Sequence, residues 1–162
     1  MSDLRVNGLA ELQRFLDQLP AKIERNIIRG ALRQGANVIM KDARERAPKG
    51  STRLLSKGLT TSTNVKGSTA YAYVKPRKQH GFLAYFFEYG VKPHSLKKGA
   101  RRKTGKYQGQ GRTHPGLSPQ PFMRPAFDSQ KEEAVIAVGE AIKKRLTKAG
   151  IDLPDINIGG DE

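Results

Sequence analysis

Few residues of this chain could do chemistry, and they are unevenly placed. The stretch from Arg46 to Phe127 holds seventeen Lys and Arg and one acid, Glu88, so it carries +16 while the flanks together carry −1. Within it, VKPHSLKKGARRKTGKYQGQGR contains Lys92, Lys97, Lys98, Arg101, Arg102, Lys103, Lys106 and Arg112 and no acid. Charge concentrated in one segment points to an anionic partner, either nucleic acid or an acidic protein surface. Contact with nucleic acid would run through phosphates and depend steeply on salt. Tyr107 offers one ring for base stacking, which is weak support. The plain alternative for such a run is a solvated face, but the lack of compensating acids favours a partner.

Catalytic and metal constellations are not evident. The three histidines, His80, His94 and His114, are not at metal-ligand spacing with one another or with acids, and His94 and His114 border the basic run. Glu88 has no second carboxylate nearby in sequence for acid–base work. Its simplest role is a local salt bridge or hydrogen bond beside the tyrosines. The glycines of GKYQGQG follow no strand and open no helix, so they do not form a phosphate-binding loop. The chain is therefore expected to be no enzyme and to need no cofactor or metal.

Length and composition constrain the frame. At 162 residues one domain is expected, residues 1–150, followed by an acidic segment, 151–162, that still carries Ile151, Leu153, Ile156 and Ile158. Cysteine is absent, which removes disulfides and thiolate chemistry. No apolar run is long enough for a membrane span, and MSDLRVNGLAEL lacks the layout of a signal peptide. A soluble protein, or part of an assembly built in the cytoplasm, is the expectation.

The elements that must position these residues follow from periodicity. Leu9, Leu12, Leu16 and Leu19 share one face of a short helix over 8–19. From Pro20 to Ala47 a long helix is expected, with Ile23, Ile27, Ala31 and Val38 on its apolar stripe. Lys22, Arg25, Arg29, Arg33 and Arg44 lie opposite. Gly30 and Gly35 either weaken it or admit a close neighbour. Ala47-Pro48 ends it.

KGSTR is a turn. GLTTSTNVK and TAYAYVK, joined at Gly67-Ser68, read as a β-hairpin with Tyr71 and Tyr73 on one face. FLAYFFEY is a short helix or a strand whose rings are expected in the core. The basic stretch 91–118 then reads as a long flexible loop. SPQPFMRPA is expected to be extended, with Pro125 opening a last helix. That helix places Phe127, Val135, Val138, Ile142 and Leu146 inward and turns Glu133, Glu140 and Lys144 away. The result is an α+β fold: a long N-terminal-half helix and a C-terminal helix packed on a small antiparallel sheet, with a long basic loop.

Three ordered signatures carry a family resemblance. VNGLAELQRFLDQLP leads into a long helix ending in ARERAP and KGSTRLLSKGL. AYFFEYG follows at 84–90, and SPQPFMRPAF at 118–127. This order resembles the tail-component family of tailed bacteriophages, whose members are tail-completion or head–tail joining neck proteins. That family's turn reads A-P-x-x-T-G-x-L, its aromatic lead-in runs into E-[FY]-G-T, and P-x-P-F-[LM]-R-P-A comes later. Ala47, Pro48 and Leu54 match the turn. Glu88, Tyr89 and Gly90 match the second signature, with Tyr85 in its lead-in. Pro119, Pro121, Phe122, Met123, Arg124, Pro125 and Ala126 match the third. Ser51-Thr52 stands in place of T-G, Val91 follows Gly90, and the basic loop is longer than usual.

The resemblance spans about residues 6–146. It implies a structural virion protein, assembled in the host cytoplasm as a homo-oligomeric ring around the DNA channel, with six subunits the expected number. It also implies neighbours such as the connector, terminator or tail tube. Tyr85, Glu88, Tyr89, Gly90, Pro121, Phe122, Arg124 and Pro125 would serve packing and assembly. The basic residues would touch packaged DNA or an acidic neighbour. A tail terminator capping the tube is the closest alternative, and a sequence-independent nucleic-acid-binding protein the alternative of another class.

Overall fold

The long helical period is realised as a 26-residue helix, and a second helix of the same length lies against it. The computed structural model describes residues 9–18, 21–67, 69–95 and 113–150. Five α-helices are described: α1 (Leu9–Leu16), α2 (Ala21–Arg46), α3 (Leu54–Gly58), α4 (Gly81–Tyr89) and α5 (Met123–Lys148). Strands β1 (Leu59–Lys66) and β2 (Thr69–Pro76) form one antiparallel pair. Strands β3 (His94–Ser95) and β4 (Thr113–His114) form another.

Helices α2 and α5 pair because α2 offers a site without a side chain. A Cβ on Gly35 would come within 2.6 Å of both the Ala134 carbonyl oxygen and Val138 Cγ2. The glycine that weakens the helix interior is thus the one that lets α5 approach. Where α1 crosses the pair, Leu12 and Leu16 pack with Ile27, Ala31, Ile142 and Leu146. At the other end Ala43, Ala47, Leu55, Leu59, Ala84, Phe122 and Ala126 form a second core. Ser129 donates to Asp42 across the helix pair at 2.9 Å, and the Arg46 guanidinium closes the cluster at 2.7 Å from Asp42.

The hairpin runs in full register from Leu59 opposite Pro76 to Lys66 opposite Thr69. It is fastened to α2 by Thr61, which donates to Asn37 at 3.0 Å, and by Arg44, which donates to the Leu59 carbonyl at 2.7 Å. Tyr71 and Tyr73 do share a face, with stacked rings 6.1 Å apart, and both are exposed.

The α+β architecture, the long helix and the hairpin match the sequence reading, and Glu133, Glu140 and Lys144 are exposed as expected. Several details differ. The turn after Pro48 is followed by helix α3, with Arg53 held in the left-handed region at φ 50°, so strand β1 begins at Leu59. Helix α5 begins at Met123, which places Pro125 inside its first turn rather than at its start. Phe127 is 53% exposed and Ile23 40%, so neither lies on its helix's core stripe. The base of the basic loop is structured: β3 pairs with β4, and Val91 and Leu117 exchange backbone hydrogen bonds of 2.8 Å. Residues 19, 20 and 151–162, including the expected Pro20 helix start, lie outside the described residues.

Candidate functional site

Glu88 sits near the end of α4, and its carboxylate lies over the start of α5. Its Oε2 accepts the backbone N–H of Phe122 at 2.9 Å and of Met123 at 3.0 Å, and its Oε1 accepts that of Arg124 at 3.1 Å. Helix starts leave backbone donors without partners and carry positive charge, so a carboxylate there satisfies both. Phe122 precedes α5 without a capping side chain of its own; Glu88 supplies the cap from 34 residues away. Burial opposes the charged form of Glu88. The N–H donors of Met123, Phe122 and Arg124 and the Arg124 charge outweigh it, and the pKa is held below the ordinary 4.5.

Neighbouring residues lock this junction. Phe122 is fully buried in the second core. Gln120 donates its backbone N–H to the Phe87 carbonyl at 2.7 Å. Gly90 has φ 75°, and a Cβ there would lie 2.7 Å from the Leu117 carbonyl oxygen, so the chain leaves α4 where only glycine fits comfortably. Tyr89 and Tyr85 are exposed, at 60% and 61%. Pro121 and Arg124 are exposed and Pro125 is half-buried. The packing motif therefore does gather in one place, and it divides into a buried anchor, Phe122, a cap, Glu88, and exposed rings.

The rings of α4 depart from the expectation of a core segment. Ala84 is buried, and Leu83 and Phe87 pack against the second core. Phe82, Tyr85, Phe86 and Tyr89 point outward, each at least 40% exposed. Tyr85 and Tyr89 stand 5.0 Å apart, and Phe86 meets both Phe82 and Tyr85 edge-on. A helix of nine residues cannot bury every one of its rings on one side, so four of them form an outward stripe.

Beside that stripe lies an apolar groove of about 850 Å³. Helix α2 forms its floor through Leu32, Gly35, Ala36 and Ile39. The small and branched side chains of β2, Ala72 and Val74, form one wall. Tyr85 and Tyr89 of α4, with Phe127, Lys131 and Val135 of α5, form the other. Sequence reasoning misses this groove. Its signal is the run of small residues at alternate positions of β2 facing a helix that also carries glycine and alanine.

Of the basic residues, Lys92 is described and exposed. Lys97, Lys98, Arg101, Arg102, Lys103, Lys106 and Arg112 lie outside the described residues. His94–Ser95 and Thr113–His114, on either side of them, meet as β3 and β4, with the rings of His94 and His114 stacked 5.0 Å apart. His94 Nδ1 pairs with the Lys92 carbonyl at 3.1 Å, and His114 Nδ1 accepts the Gly116 N–H at 3.0 Å. Among the described residues no three His, Asp or Glu side chains gather as metal ligands, and no helix is long and apolar enough to cross a membrane.

A family model accounts for the first half of this arrangement. The HK97-gp10-like model, "Bacteriophage HK97-gp10, putative tail-component", matches residues 10–90. No curated protein and no solved structure matches the chain. The match runs from α1 through the hairpin to the AYFFEYG segment and so includes the capping Glu88 and its aromatic lead-in. Half of the sequence being matched in this way, the chain belongs to the HK97-gp10-like family of bacteriophage tail components.

Proposed function

We propose that this tail component acts by assembly rather than catalysis, as a ring-forming tail-completion or head–tail joining protein around the DNA channel. The observation that carries the reading is the outward stripe Phe82, Tyr85, Phe86 and Tyr89 on a helix whose last turn caps α5. Exposed apolar patches of this kind mark protein contacts. A stripe on a helix tied to α5 through Glu88 presents its rings at low entropic cost. Rings of subunits need two different complementary surfaces. The α4 stripe with its adjoining groove supplies one.

Six subunits around the axis are the working number, with the connector, terminator or tail tube as neighbours. The same stripe would serve a terminator capping the tube, and the position of the ring in the particle separates the two. The experiment is electron microscopy of particles carrying Tyr85→Ala/Tyr89→Ala or Phe122→Ala. Unjoined heads and tails are expected. Fully joined virions with normal tails in both variants would overturn the reading.

A second reading concerns the basic loop. The +16 of residues 46–127 is multiplied in a ring, and the residues on either side of the loop, His94–Ser95 and Thr113–His114, pair as β3 and β4. Facing the channel, they would meet the phosphates of packaged DNA without sequence preference.

A further inference from the structure

The apolar groove has an unused strand edge along it. Strand β2 pairs with β1 alone among the described residues. It is β2 and not β1 that lines the groove, through Ala72, Val74 and Pro76. An extended segment laid there would gain backbone hydrogen bonds from β2 and apolar contacts from α2 and α5, the mode of strand addition.

The sequence contains one segment suited to that place. Residues 151–162, IDLPDINIGGDE, hold four acids and no Lys, Arg or His, in a chain of net charge +15. Ile156 and Ile158 alternate, so an extended backbone puts both on one face. The groove carries Arg124 and Lys131 on its lining, while its one carboxylate, Glu88, is engaged by the α5 amides. Length agrees as well. The stretch of α5 along the groove, Arg124 to Val138, is about 21 Å long at about 1.5 Å per residue. Residues 153–158 span about 17 Å when extended, which fits within it.

The geometry separates a copy's own segment from its neighbour's. Helix α5 is followed by Gly150 at φ 70°. Between that point and the groove, α1 packs on Ala31, Ile142 and Leu146, with Val138 at its margin. A segment leaving Gly150 would have to pass around α1 to reach its own groove. One arriving from a second copy need not cross α1. We propose that residues 151–162 of one copy occupy the groove of the next, with 153–158 added to β2 as a third strand. This deepens the assembly reading and rests on it, because the donor is another subunit.

The absence of native cysteine makes the test direct. Ile156→Cys is combined in the full chain with Ala72→Cys, Val74→Cys or Phe127→Cys and oxidised. At least one pair is expected to give reducible multimers larger than the dimer available to each single-cysteine chain. A faster-migrating, internally linked monomer would place the segment in its own groove and overturn the proposal.

In parallel, the full chain with Ile156→Asp and Ile158→Asp is followed by sedimentation. Its assembly is expected to weaken roughly tenfold or more, with unchanged thermal melting of the dissociated subunit. A labelled peptide of residues 151–162 is expected to bind this variant saturably, and a scrambled peptide is not. Unchanged assembly without cross-links or peptide binding would sink this proposal and leave the ring reading standing. A monomeric wild-type chain that still binds the peptide would overturn both the ring and the donation between copies, leaving the groove to the chain's own segment. A monomer that does not bind it would overturn both.

Discussion

Glu88 holds the backbone N–H of Phe122 at 2.9 Å, tying the last turn of α4 to the first turn of α5 across 34 residues. Two of the sequence's three signatures meet in this one hydrogen bond. The pairing of a carboxylate in AYFFEYG with the amides of PFMRPA has a mechanical reason. The second segment starts a helix that lacks a cap of its own, and the first supplies it.

Replacing Glu88 by Ala removes a charged acceptor from three backbone donors. The expected cost is about 2–3 kcal/mol, on the scale of hydrogen bonds to charged groups. Glu88→Gln should recover part of it, keeping acceptor geometry without the charge. Because the folded pKa is depressed, this stability is present above the ordinary value of 4.5 and is lost as pH falls through the lower folded value. Thermal melts from neutral to strongly acidic pH should therefore show wild type and Glu88→Gln converging at the acid end. A constant gap at every pH would contradict the charged cap.

The two glycines of α2 should respond oppositely to alanine. At Gly35 the new methyl meets the Ala134 carbonyl and Val138, both fixed in the helix pair. Gly35→Ala is expected to destabilise by about 1–3 kcal/mol. At Gly30 the obstacle is the guanidinium of Arg145, the far end of an exposed, flexible side chain. Gly30→Ala should then gain up to about 1 kcal/mol from helix propensity. Chemical denaturation of both variants checks the contrast.

Tyr85→Ala/Tyr89→Ala should leave the isolated subunit nearly untouched, within about 0.5 kcal/mol, as expected of exposed positions. Its effect should fall on self-association, read by sedimentation. Loss of subunit stability with assembly unchanged would show the rings to be internal packing after all.

Neutralising Lys97, Lys98, Arg101, Arg102 and Lys103 together tests the loop. If these residues meet DNA phosphates, anisotropy titrations should show weaker binding of duplexes of any sequence. The slope of log K against log salt should become shallower by about 0.9 for each phosphate that is no longer neutralised. An unchanged slope would remove DNA as the loop's partner.

Much of the fold is legible in the sequence because it rests on long periods. Ile27 and Ala31 mark the helical stripe of α2, and the alternation of Tyr71 and Tyr73 with Ala72 and Val74 marks β2. For the rings of α4 composition misleads: eight residues rich in Phe and Tyr suggest a core. Their spacing says otherwise, since 82, 85, 86 and 89 share one helical face and 83, 84 and 87 the other. Glu88 is legible as a hydrogen-bonding residue but not as a cap, because its partners are backbone amides far along the chain. Helix α3 leaves no trace because five residues are too few to show a period. The groove is easily missed because it is shaped by what is small, Gly35, Ala36 and Ala72, and small residues leave a weaker trace than large apolar ones.

The paired backbone bonds between Val91 and Leu117 have one more consequence. They bring the two ends of the basic excursion together before it begins, so its length is decoupled from the rest of the chain. Adding or removing residues between Ser95 and Thr113 is expected to change a slowly varying closure entropy while the Val91–Leu117 pair stays in place. The stem is thus a socket, into which loops of different length and charge can be fitted while the frame that presents them stays the same.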